Sequence, residues 1–134
     1  LREGTDITLI GTSSMRQVCE KAAVLLEAEG VSAEVIDPRT IVPLDEATIL
    51  TSVRKTSRAI VVDEGHQSFG VTAEIAARIA EKAFYWLDAP VARLGAMDVP
   101  VPFSPALEDL TVPTPEGVVE TARRLCAGEL IHAA

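Results

Sequence analysis

The sequence predicts a three-layer α/β/α domain with a mostly parallel sheet of four to five strands. Three observations lead there. Segments of strand length alternate with segments whose apolar residues recur at helical spacing, and that alternation places helices on both faces of a parallel sheet. The run Ala59-Ile60-Val61-Val62 is apolar without a break, as a strand buried on both faces requires. The length of 134 residues suits one domain with a real core, and 48% hydrophobic against 24% charged residues is the balance of a folded chain.

The elements follow in order. Residues 6–11 read as a short buried strand ending in Gly11. Thr12, Ser13 and Ser14 then offer hydroxyls to cap the free amides of a helix start. That helix runs to about Glu29, with Val18, Ala22, Leu25 and Leu26 at helical spacing, and Gly30 stops it. Ser32 to Asp37 is the second strand, closed by Pro38. A proline-bracketed connection leads to Asp45, the expected cap of a short helix to Thr56 with Ile49, Leu50 and Val53 inward. Arg58 to Asp63 is the third strand, and residues 64–70 are expected to form a loop.

The next helix is expected over about 71–87. Ala73, Ala76, Ala77, Ala80 and Ala83 make it slim, and it ends in Phe84-Tyr85-Trp86. Three successive aromatics point in different directions around a helix, so at least one faces solvent or a partner. Val91 to Leu94 is the fourth strand. Five prolines between residues 98 and 115 preclude regular structure there. Glu116 to about Leu125 closes the chain as a helix with Val118, Val119, Ala122 and Leu125 inward.

Composition excludes several functions. Twelve basic residues against 20 acidic ones give a net charge of −8, a field that repels nucleic acid. The excess is uneven: residues 1–62 carry −2 and residues 63–134 carry −6. A solvated acidic face accounts for that, and so does a docking surface for a basic partner. No apolar run approaches the roughly 20 residues that span a bilayer, and no signal-peptide pattern opens the chain. Beginning at Leu1 rather than Met, the chain reads as a fragment of a longer protein or a processed one. Cys19 and Cys126 make neither a disulfide framework nor, with His66 and His132, a zinc site. Cys19 is expected in the core, His132 in a frayed tail, and the protein in a reducing cytoplasm.

In a doubly wound sheet the first and third strands flank a crevice, here lined by Thr12, Ser13 and Ser14 from one loop and Glu64, Gly65 and His66 from the other. Ser13 and Ser14 at a helix start suit an anion, and Glu64 with His66 would form an acid/base pair. Capping alone also selects Ser-Ser before a helix, and a lone loop histidine is more often solvated than catalytic. No phosphate-binding glycine loop and no Gly-x-Ser-x-Gly elbow occur. No residue receives a catalytic, cofactor-binding or metal-ligating role; a small-ligand or regulatory site at Ser13, Ser14, Glu64 and His66 stays open.

Longer motifs carry a resemblance. Val35-Ile36-Asp37-Pro38-Arg39-Thr40-Ile41-Val42-Pro43-Leu44-Asp45 resembles a signature of the transketolase C-terminal domain family. Ile60-Val61-Val62-Asp63-Glu64-Gly65, then Gly70 and Ala73-Glu74-Ile75-Ala76, is similar to its next block. Leu87-Asp88-Ala89-Pro90-Val91 and Asp98-Val99-Pro100-Val101-Pro102-Phe103 resemble the beta chain of thiamine-diphosphate-dependent 2-oxoacid dehydrogenases, and Phe103 to Asp109 the acetoin branch. These blocks favour a dehydrogenase over a transketolase or a deoxyxylulose-phosphate synthase. The resemblance implies one domain over residues 1–127 and a tail over 128–134.

It also implies a parent oxidoreductase that decarboxylates a 2-oxoacid such as pyruvate, or cleaves acetoin, with thiamine diphosphate and Mg, and acylates a lipoyl arm. The cofactor would sit between an alpha chain and an N-terminal half of the beta chain, so the present residues would be inactive and hold no cofactor. Implied partners are the alpha chain, a second beta chain and the basic subunit-binding domain of the acyltransferase component. By motif, Asp88 would bind that last partner, with helix termination before Ala89-Pro90 as the plain alternative. Phe84, Tyr85 and Trp86 would form an association surface. Relatives that end soon after the last helix use a terminal carboxylate in docking, a contact the tail of this chain puts in doubt. The family sheet would include one more strand at the start of this chain, with Leu1 and Arg2 as its remnant, leaving a sheet edge open.

Overall fold

A computed structural model describes residues 2–129. Four strands, β1 (Ile7–Gly11), β2 (Ala33–Ile36), β3 (Ala59–His66) and β4 (Ala92–Ala96), form one sheet in the order β2-β1-β3-β4, every pair parallel. Helices α1 (Met15–Ala28) and α5 (Pro115–Cys126) cover one face; α2 (Glu46–Thr56) and α3 (Val71–Ala83) cover the other. The chain reverses its direction of winding between β1 and β3, so the architecture is the doubly wound three-layer sandwich that the alternation predicts. Arg2 adds a single antiparallel bridge to Val35 at the open edge of β2.

Strand alternation divides the core in two. Ile7, Leu9, Val35, Ile60 and Val62 meet Cys19, Ala22, Leu26, Val118, Ala122 and Leu125. Ile10, Ile36, Ala59 and Val61 meet Ile49, Val53, Ile75 and Ile79. Thr8 is the polar exception on the second face, and its buried hydroxyl lies 2.7 Å from Ser52 Oγ and 2.6 Å from Thr56 Oγ1. Burying those three hydroxyls is tolerable because they satisfy one another.

Several expected boundaries move. Leu25 is exposed; the inward stripe of α1 is Met15, Cys19, Ala22, Ala23 and Leu26. Strand β3 runs on through Glu64, Gly65 and His66, where a loop was expected. After a register shift His66 pairs with Ala96, and this overhang is exposed, so no apolar pattern marks it. Helix α3 stops at Ala83, and Phe84–Trp86 forms a separate 3₁₀ turn. Within the proline-rich stretch, Pro105–Glu108 makes one helical turn, α4, because a proline at the first position of a helix has no amide to lose. Asp45 caps α2 as expected, accepting from the Thr48 amide at 3.1 Å, and the structure adds a cap on α5, where Thr114 accepts from the Gly117 amide at 3.2 Å. Helix α5 ends at Cys126, while His132 and most of the 128–134 tail lie outside the described residues.

Candidate functional site

The candidate residues gather at the two opposite ends of the sheet. At the C-terminal end, β1 delivers Thr12, Ser13 and Ser14 beside the overhang of β3. Thr12 donates a hydrogen bond to the Asp63 carboxylate, and the Ser14 hydroxyl donates to Glu64. Ser14 therefore makes no side-chain cap on α1, contrary to the capping expectation, because Glu64 captures its hydroxyl. A cleft of about 340 Å³ opens here, lined by Thr12, Ser13, Asp37, Arg39, Asp63 and Val71 among others. Arg16 and Arg39 hold the Asp37 carboxylate at 4.0 and 3.4 Å.

This end does not bring Glu64 and His66 together as an acid/base pair. His66 Nε2 lies 3.1 Å from the Val99 carbonyl, drawn to the segment after β4 by the same pairing that extends β3. Among the described residues no three His, Cys, Asp or Glu side chains converge on a metal-sized site, and Asp63 and Glu64 are engaged by hydroxyls.

At the N-terminal end a groove of about 750 Å³ is lined by Ala76, Ala77, Ala80, Phe84, Tyr85 and Asp88, with residues 87 and 89–91 completing it. Helix α3 turns its larger apolar residues, Ile75 and Ile79, inward, which leaves the small alanines to shape the outer face. Tyr85 is 92% exposed. Phe84 packs edge-to-face on Tyr85 with ring centroids 5.5 Å apart. Trp86 turns away and stacks on the Arg54 guanidinium, 4.6 Å from the ring centroid. So of the three aromatics, Phe84 and Tyr85 line the groove, and Trp86 braces the turn against α2.

Asp88 sits at the rim. The 3₁₀ turn that continues α3 ends at Trp86 with Leu87 as its cap, so Asp88 is the first residue beyond the helix end. Its amide donates to the Ser57 carbonyl at 2.9 Å, and its half-exposed carboxylate lies 3.3 Å from Arg58 Nη2. Arg58 Nε is buried with no hydrogen-bond partner. Arg58 and Arg54 went unnoticed in the sequence, since they reach these residues from about 30 positions away and no local pattern marks them.

The fold and these two ends define a doubly wound α/β domain whose principal feature is an apolar groove with a charged rim. Residues 1–118 match the transketolase C-terminal domain family, and the chain belongs to it. It is 50% identical over 125 residues to the pyruvate dehydrogenase E1 component subunit beta-1, mitochondrial, of Arabidopsis thaliana, covering 93% of this chain and 34% of that one. It is 44% identical over 124 residues to the acetoin:2,6-dichlorophenolindophenol oxidoreductase subunit beta of Bacillus subtilis, covering 92% and 36%. Among solved structures, a split-gene transketolase described as an inactive beta4 tetramer superposes with a TM-score of 0.81 at 27% identity, over 96% of this chain and 40% of that one. The chain thus spans about a third of the length of the curated relatives it matches.

Among the described residues no helix is long and apolar enough to cross a membrane.

Proposed function

We propose that this chain is the C-terminal part of the beta subunit of a thiamine-diphosphate-dependent 2-oxoacid dehydrogenase, of pyruvate or acetoin type, and that it serves assembly and docking. In this reading the parent enzyme is an oxidoreductase that works in the cytoplasm with thiamine diphosphate and Mg held elsewhere. The alpha chain and a second beta chain are its assembly partners, and the acyltransferase's basic subunit-binding domain docks on the groove. The names of the relatives support the parent activity. The observation that carries the docking role is the groove itself, because it brings Asp88 and the exposed aromatic turn onto one surface.

The geometry suits a basic partner. Arg58 and the Ser57 carbonyl fix the direction of Asp88 while leaving its side chain 60% exposed. A cation arriving over the apolar groove would exclude water around that carboxylate, and an ion pair gains strength as the local dielectric falls. The net charge of −8 attracts such a partner over long range. The aromatic turn supplies rigid apolar area of the kind that dominates binding energy at interfaces.

The test is calorimetric titration of the assembled enzyme with the subunit-binding domain. Asp88→Ala is expected to weaken docking by more than about 1 kcal/mol, as a central charged contact does. An unchanged affinity would leave Asp88 only its structural role beside Arg58.

A further inference from the structure

A second apolar surface lies at the opposite end of the sheet from the groove. The segments after β3 and β4 expose Phe69, Val99, Val101 and Phe103, and both phenylalanines are about as exposed as in an extended chain, at 104%. Hydrogen bonds tie the start of the two segments together. Ser68 bonds Asp98 twice, through its amide at 3.2 Å and its hydroxyl at 2.5 Å, and the Gln67 amide donates to the Ala96 carbonyl at 3.0 Å. His66 reaches the Val99 carbonyl. A Cβ on Gly70 would stand 2.2 Å from the His66 carbonyl oxygen, so the turn closes tightly around position 69. Phe69 itself takes a left-handed backbone, φ 57°, which is a real strain for a bulky residue. An aromatic that is both strained and wholly exposed gains nothing inside this domain.

The path of the chain says what covers it. Arg2 pairs antiparallel with Val35, whereas β2 runs toward the C-terminal end of the sheet. A polypeptide preceding Arg2 therefore arrives from that same end. It arrives at the β2 edge, three strand spacings of ~4.8 Å from β4, a separation of about 14 Å. The curated relatives hold about two thirds of their length outside the region matched here. We propose that the Phe69–Val99–Val101–Phe103 face seats the preceding portion of the same beta chain. The exposed side chains of the face, Phe69, Val99, Val101 and Phe103, are the apolar and aromatic types that permanent interfaces bury. Covalent linkage at the same end gives that occupant a high effective concentration. This inference rests on the beta-subunit reading.

The experiment is photo-crosslinking in the assembled enzyme, with p-benzoylphenylalanine placed at position 69 or 103 and the adducts mapped by mass spectrometry. The expected adducts join either position to a peptide N-terminal to this domain in the same beta chain. Adducts to the alpha chain, to a second beta chain or to the acyltransferase would overturn the proposal, and so would the absence of any adduct, which would mean that the face is open to solvent. The same probe at position 85 reports on the groove separately. An adduct there to the added subunit-binding domain supports the docking role whatever positions 69 and 103 show.

Discussion

Replacing Phe69 tests the strained turn directly. Its φ of 57° lies in the left-handed region, where an L-residue other than glycine pays roughly 1–2 kcal/mol. Its ring is fully exposed, so shortening it removes no buried area. Glycine relieves the strain but loses roughly 0.5–1 kcal/mol in backbone entropy on folding. Phe69→Gly should therefore stabilise the chain by about 0.5–1 kcal/mol. With an unfolding entropy of ~2.1 cal/mol/K per residue, 134 residues give about 0.28 kcal/mol/K, and the gain becomes a rise in Tm of about 2–4 °C. Phe69→Asn should behave alike, since asparagine tolerates the left-handed region. Differential scanning calorimetry of the chain reads the shift. A fall in Tm would refute the reasoning, for it would mean that the ring packs on something within the domain.

Other outcomes follow from the core and the acids. Thr8→Val keeps the shape but removes the hydroxyl shared by Ser52 and Thr56. Thr56 keeps the Ser52 and Arg58 carbonyls at 3.2 and 3.1 Å, so the expected loss in urea unfolding is about 1–2 kcal/mol, for two hydrogen bonds with partial compensation. Burial pushes the Cys19 thiol up to about 12, with Glu20 adding to the effect; at neutral pH a thiol reagent should label Cys126 well before Cys19 in the folded chain. The Ser68 hydroxyl, then its amide, hold the Asp98 carboxyl below the ordinary carboxylate range. A depressed folded value means a stabilising contribution that is full above the unfolded pKa of about 3.9 and lost as pH falls through the folded one. Acid melts below about pH 4 should show a component that Asp98→Asn removes; identical acid slopes in both proteins would contradict the assignment.

The sheet was legible because each strand is a short apolar run and each helix an apolar stripe. Ile60 and Val62 face one layer while Ala59 and Val61 face the other, and the unbroken run that they make is what announced burial on both sides. What escaped was structure outside the core. The β3 overhang is held by backbone pairing to β4 while its side chains meet water, so hydropathy is silent there. At the groove, Phe84, Tyr85 and Asp88 were legible as neighbours along the chain, and the resemblance gave Asp88 its expected role. Their supports, Arg54 and Arg58, arrive from α2 and the start of β3, a juxtaposition that only the fold creates. His66 misled for a related reason: a histidine two residues from a glutamate looks like a pair, yet an extended strand lets the register choose other partners for each.

The assembly role is tested most directly by sedimentation velocity of this chain over a wide concentration range, beside Tyr85→Glu. If the aromatic turn is an association surface, the wild-type chain should move from monomer to dimer as concentration rises, and Tyr85→Glu, with its charge set in the groove, should stay monomeric. A wild-type chain that sediments as a monomer throughout, indistinguishable from the variant, would contradict the account.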